Sequence, residues 1–131
     1  MNKICTSIEQ SKKLLELGID INTADMYYEE VCNLPKAIVG NYILHNQCME
    51  DKDYKKLSNP VLSPAWSLSA LVEILSDITD YSFELIFLKR TTDGRGDVLE
   101  NIYRCSVDMK DTWNTEPLDV VFEMICWLKE N

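Results

Sequence analysis

The 131 residues carry 22 acidic against 13 basic side chains, a formal net charge of −9, with 46% hydrophobic and 27% charged residues. That balance excludes a disordered chain, and a chain this long can bury roughly two thirds of its unfolded surface in one domain over residues 1–131 without disulfide or metal staples. It also argues against direct nucleic-acid binding, because Lys52, Lys55 and Lys56 are interleaved with Asp51 and Asp53 and no basic patch offsets the net charge.

Taken in chain order, the first signal is an amphipathic run over residues 8–17. Thr6 with Glu9 and Ser7 with Gln10 both have capping-box spacing ahead of it, and Gly18 followed by Ile19 reads as a Schellman stop. Residues 26–32 are rich in strand formers. A turn at 33–36 and a second apolar stretch over 37–46 then predict an antiparallel hairpin, and a polar loop over 47–63 follows it.

Ser63 and Pro64 have the cap and first-position chemistry of a helix start, so a central helix is predicted from near Pro64, with Leu68, Leu71, Val72 and Leu75 on its buried face. Trp66 lies on the other side, either as an exposed anchor for a partner or folded back over the preceding loop. Residues 81–89 read as a strand with Tyr81, Phe83, Leu85 and Phe87 facing the core. Asp93-Gly94 supplies the turn, and a returning strand runs from about Val98 to Met109. The last helix is predicted to start after a Thr115 cap. Its acidic stripe is Glu116, Asp119, Glu123 and Glu130, and the apolar remainder suits either burial between a sheet and another helix or a dimer interface.

These elements predict an α+β fold in the order helix, hairpin, helix, hairpin, helix, with about four antiparallel strands in one sheet and three helices against a face. The five cysteines, Cys5, Cys32, Cys48, Cys105 and Cys126, are odd in number and without paired spacing, as expected of reduced thiols in the cytoplasm. No segment has the length and apolarity of a membrane span or the form of a signal peptide.

Chemical motifs are sparse. His45 and Cys48 have ligand-like spacing, but one histidine does not make a structural metal site, so neither metal nor cofactor is expected. No phosphate loop, nucleophile elbow or metalloprotease helix occurs. The candidates left are Asp25, Tyr27 and Tyr28, whose carboxylate and phenols suit a ligand, Trp66, and the carboxylates Glu116, Asp119 and Glu123.

Four ordered pieces carry a resemblance that spans residues 6–131: the helix Ser11-Lys12-Lys13-Leu14-Leu15-Glu16-Leu17-Gly18, then Ala24-Asp25-Met26-Tyr27-Tyr28, then Pro64-Ala65-Trp66-Ser67-Leu68-Ser69-Ala70-Leu71, then Pro117-Leu118-Asp119 with Glu123-Met124 and Trp127-Leu128. The chain resembles a family of short uncharacterised proteins of gut bacteria and their phages or mobile elements. That resemblance implies a free-standing intracellular protein and supplies no activity or catalytic residue.

Together these readings favour a small acidic interaction or regulatory protein, binding a protein partner or a second copy of itself, over an enzyme. One alternative is an enzyme or small-ligand binder with a pocket near Asp25, Tyr27, Tyr28 and His45. Another is a nucleic-acid mimic whose carboxylates occupy a basic groove.

Overall fold

The structure, a computed structural model, describes residues 3–30, 42–45, 62–91 and 98–131. The turns expected at 33–36 and 93–94, most of the polar loop, and Cys32 and Cys48 lie outside these residues. The class is α+β, with the helices and hairpins in the expected order. Each hairpin gains a third strand, so the strands form two antiparallel sheets in place of one. The contacts gather in two compact units, Cys5–Ala70 and Met1–Ile4 with Leu71–Asn131.

In the first unit, helix α1 (Ile8–Glu16) uses the second of the two capping boxes. The Gln10 N–H donates to Ser7 Oγ at 3.1 Å and the Ser7 N–H to Gln10 Oε1 at 3.0 Å. Thr6, the other capping candidate, is buried and shares a hydrogen bond with the Ser11 hydroxyl. The helix ends as a Schellman motif: Gly18 has φ +86°, its N–H donates to Leu15 O, and the Ile19 N–H donates to Leu14 O. Ile19 and Leu14 are buried over that end.

Strand β1 (Met26–Glu30) is the centre of a sheet, flanked by β2 (Tyr42–His45) and β3 (Leu62–Ala65). Here the structure corrects the start of the central helix. Pro64 lies in β3 opposite Tyr27, and the helix α2 runs Leu68–Thr79. Proline lacks an N–H and is tolerated on an edge strand, the place β3 has among the described strands. Ser67 takes the capping role expected of Ser63, accepting the Ala70 N–H on its hydroxyl at 3.2 Å.

In the second unit, β4 (Glu84–Thr91), β5 (Val98–Val107) and β6 (Lys110–Asn114) form a meander in that order. Helix α3 (Pro117–Glu130) packs over β5 and β6, burying Leu118, Val120, Val121, Met124 and Ile125 with Cys105 and Val107. The Thr112 hydroxyl donates to Val120 O at 2.9 Å across this contact. Burial of those apolar positions answers the surplus of apolar surface noted in the sequence, and Trp127 keeps 37% of its surface exposed.

Three expectations are revised in this unit. Tyr81 precedes the strand and is 75% exposed, while Leu85 and Phe87 are also exposed, because α3 lies over β5 and β6 and leaves β4's share of that face open. β5 stops at Val107, and Asp108, with φ +53°, turns the chain so that Met109 is fully exposed. The α3 N-cap position is held by Glu116, not Thr115, with no side-chain cap; Pro117 follows, and the Glu116 N–H is satisfied by Asn114 Oδ1 at 3.1 Å. Among the described residues no helix is long and apolar enough to cross a membrane.

Candidate functional site

The sequence-derived group Asp25, Tyr28 and Trp66 turns out to stitch the first unit together. The Asp25 carboxylate accepts the Ser67 N–H at 2.8 Å and the Ser67 hydroxyl, fixing the residue that caps α2. Trp66 is fully buried. Its backbone N–H donates to Thr6 Oγ1 at 3.0 Å and its indole N–H to Thr23 Oγ1 at 2.9 Å, so it presents no surface to anchor a partner.

The Tyr28 hydroxyl donates to Thr6 O at 3.0 Å and lies 3.2 Å from Cys5 Sγ. Burial pushes the Cys5 thiol above its ordinary value, and burial followed by the hydrogen bond to Cys5 pushes the Tyr28 phenol up further. Both stay protonated at neutral pH, the opposite of an activated nucleophile. Tyr27 alternates with Tyr28 onto the other face of β1, where it falls opposite Pro64 on one side and His45 on the other. The two tyrosines therefore do not converge.

The acidic stripe of α3 is also engaged. Glu116 accepts the Lys3 backbone N–H and Asp119 pairs with Lys3 Nζ, each at 3.0 Å, while Glu123 accepts from Asn114 Nδ2 at 2.9 Å. The exposed ion pair contributes at most about 1 kcal/mol. Among the described residues no group of three His, Cys, Asp or Glu side chains is placed to hold a metal ion.

A different set of residues forms a cleft of about 510 Å³ on the sheet face opposite α3. Tyr81, Glu84, Arg104, Ser106, Asp108 and Asp111 line it, along with Ser82 and Phe83. Its rim is set by the end of α2. Asp80 and Tyr81 have φ +53° and +64°, and the Tyr81 N–H donates to Ser76 O at 2.8 Å, so the chain reverses abruptly and holds the phenol in solvent. A bulky residue at positive φ is a strained arrangement.

The floor follows from β5 alternation. Arg104 and Ser106 sit two residues apart on one face of β5, and Asp108 follows in the turn beyond it. Arg104 lies over the Trp113 ring, 5.3 Å from its centroid, and its Nε is buried without an acceptor. Asp111 accepts a hydrogen bond from Ser106 across the β5 and β6 pair. The cleft thus offers a donor-rich guanidinium and several carboxylates beside an exposed aromatic ring.

A smaller apolar recess of about 300 Å³ lies at the other end of α3, lined by Val107, Met109, Lys110, Trp127 and Leu128. Lys110 Nζ sits over the Trp127 ring at 5.3 Å. Neither cavity is lined by Asp25, Tyr27, Tyr28 or Trp66.

Sequence reasoning missed the cleft because nothing in Asp80-Tyr81 signals positive φ; a glycine there would have done so. The Arg104, Ser106, Asp108 alternation is visible in the sequence as the wet face of a strand, but its convergence with Tyr81 depends on the helix end. No family model, no curated protein and no solved structure matches this chain.

Proposed function

We propose that this is a small acidic interaction protein of the cytoplasm that captures a basic segment of a partner protein in the cleft on the C-terminal sheet. It acts as a regulator of the kind carried by gut bacteria and their mobile elements. The observation that carries the reading is the strained, 75% exposed Tyr81 held beside Asp108 and Asp111. A ring fixed in solvent at a cost in backbone strain suits an aromatic anchor, and the carboxylates beside it suit Lys or Arg. Arg104 supplies donors for a carbonyl or carboxylate of the same segment.

Affinity capture from the encoding cells at low and high salt tests this. The wild type is expected to retain a defined partner at low salt and release it at high salt, because the rim charges are screened. A folded Asp108→Lys, Asp111→Lys variant is expected to capture none. Equal capture by the variant at both salt concentrations, or no partner for the wild type, would contradict the reading.

A further inference from the structure

We propose that Arg104 is a carboxylate subsite inside the acidic cleft, so that the captured segment carries a carboxylate next to its basic side chain. This rests on the partner-binding reading and narrows the partner's chemistry, because a segment of one sign alone fits only part of the lining.

Strand register builds the subsite. Arg104 lies opposite Ile86 on one side and Trp113 on the other, and the next pairing on the same face sets Ser106 between Glu84 and Asp111. One cation and two acids therefore stem from neighbouring rows, about 7 Å apart along the strands. At that spacing a long side chain is free to fold onto either acid. Arg104 lies instead over the Trp113 ring, 5.3 Å from its centroid, and the Asp111 carboxylate accepts from the Ser106 hydroxyl. Arg104 Nε is left buried without an acceptor. Buried donors are almost always paired, and a charged donor gains most from a charged acceptor. The protein thus holds this cation by its face and supplies no oxygen at that atom.

The class of acceptor follows from the surrounding charge. A guanidinium carries its N–H donors in one plane, and a carboxylate laid against an edge of that plane accepts two of them in parallel. A phosphate has the same fit, but Glu84, Asp108 and Asp111 line the same cleft and oppose a doubly charged anion more than a singly charged one. A carboxylate brings one charge, and the Lys or Arg beside it in the segment offsets that charge against the acids. A polybasic segment, by contrast, sets a cation against Arg104. The carboxylate has two sources of the same chemistry, the C-terminus of the partner chain or an Asp or Glu next to the basic residue.

Protein-observed NMR titration tests the subsite with three probes: acetyl-Ala-Lys-Ala as the free acid, the same tripeptide as its C-terminal amide, and acetyl-Ala-Lys-Glu amide. The free acid is expected to bind roughly tenfold more tightly than the first amide and to shift the Arg104 Nε–H resonance. In a folded Arg104→Gln variant that preference should vanish, and the cationic amide should bind more tightly than it does to the wild type, because a like charge has gone. A merely structural arginine would not move the two peptides in opposite directions. Binding of the Glu peptide on a par with the free acid assigns a side-chain carboxylate as sufficient, whereas tight binding of the free acid alone assigns a chain terminus. Equal binding of acid and amide to the wild type, or a preference that survives Arg104→Gln, would overturn the proposal. If both peptides bind equally and Asp108→Lys, Asp111→Lys releases both, the basic-segment reading stands and the carboxylate subsite alone falls. Absence of any cleft shift with all three peptides also overturns the subsite, and the partner reading then stands or falls by affinity capture.

Discussion

Asp25 shows how a residue with the chemistry of a site can be absorbed by the fold. Its carboxylate holds both the N–H and the hydroxyl of Ser67, and Ser67 in turn caps α2, so one side chain ties the approach to β1 to the start of a helix. Thr6 plays the same part between Ser11, Trp66 and Tyr28. Asp25 stood out in the sequence and Thr6 read as a helix cap, but Ser67 lies 42 positions from Asp25 and Trp66 lies 60 from Thr6, and local spacing carries no information about such pairings.

Cys105 gives a residue-scale prediction. Burial, with a smaller contribution from the Asp111 charge, pushes its thiol from 9.0 up to about 11. The folded value lies above the unfolded one, so the folded state binds the proton more tightly. The resulting stability is fully present below about pH 9 and is lost as pH rises through about 11. Urea midpoints of the wild type should therefore fall more steeply across that window than those of Cys105→Ala. Parallel profiles would contradict the assignment.

At the scale of elements, legibility divides by whether a signal was local. Both ends of α1 were readable, since the Ser7 and Gln10 pair and the Gly18 and Ile19 stop each act within a few residues. The start of α2 was not. A Ser-Pro pair suits a helix start and an edge strand equally, and the strand that claims Pro64 is β1, far back in the chain. The hairpin of β4 and β5 was readable from alternation, but the openness of its β4 side was not, because which strands a helix covers is a property of packing.

The end of α2 supplies the prediction at this scale. Tyr81 holds φ +64°, where glycine pays no steric penalty, and its only described backbone bond, the N–H to Ser76 O, survives any side chain. Tyr81→Gly should therefore raise stability by about 1 kcal/mol in chemical denaturation while abolishing partner capture. Loss of stability together with unchanged capture would show that the ring serves the fold and not a partner. Asp108, at φ +53° in the β5 and β6 turn, is less strained because aspartate enters this region more readily than a bulky aromatic.

For the whole molecule, the net charge of −9 was legible at once, but its distribution was not. The stripe Glu116, Asp119 and Glu123 looked like an open acidic face, yet each residue has an intramolecular partner in Lys3 or Asn114. The exposed large apolar side chains among the described residues, Leu15 apart, all belong to the C-terminal unit, which also holds the cleft. Surface of that kind marks interaction sites more often than chemistry, and the thiols of Cys5 and Cys105 and the phenol of Tyr28 are held in their protonated, unreactive forms.

The most direct measurement places a photo-crosslinking residue at Ser82, exposed on the cleft rim, and, in a second protein, at Glu9 on the wet face of α1. Irradiated in cells, the Ser82 protein should give one defined adduct with a basic partner, diminished by Asp111→Lys, while the Glu9 protein gives none. Adducts from Glu9 alone, or the same adducts from both positions, would contradict the assignment of the cleft as the binding surface.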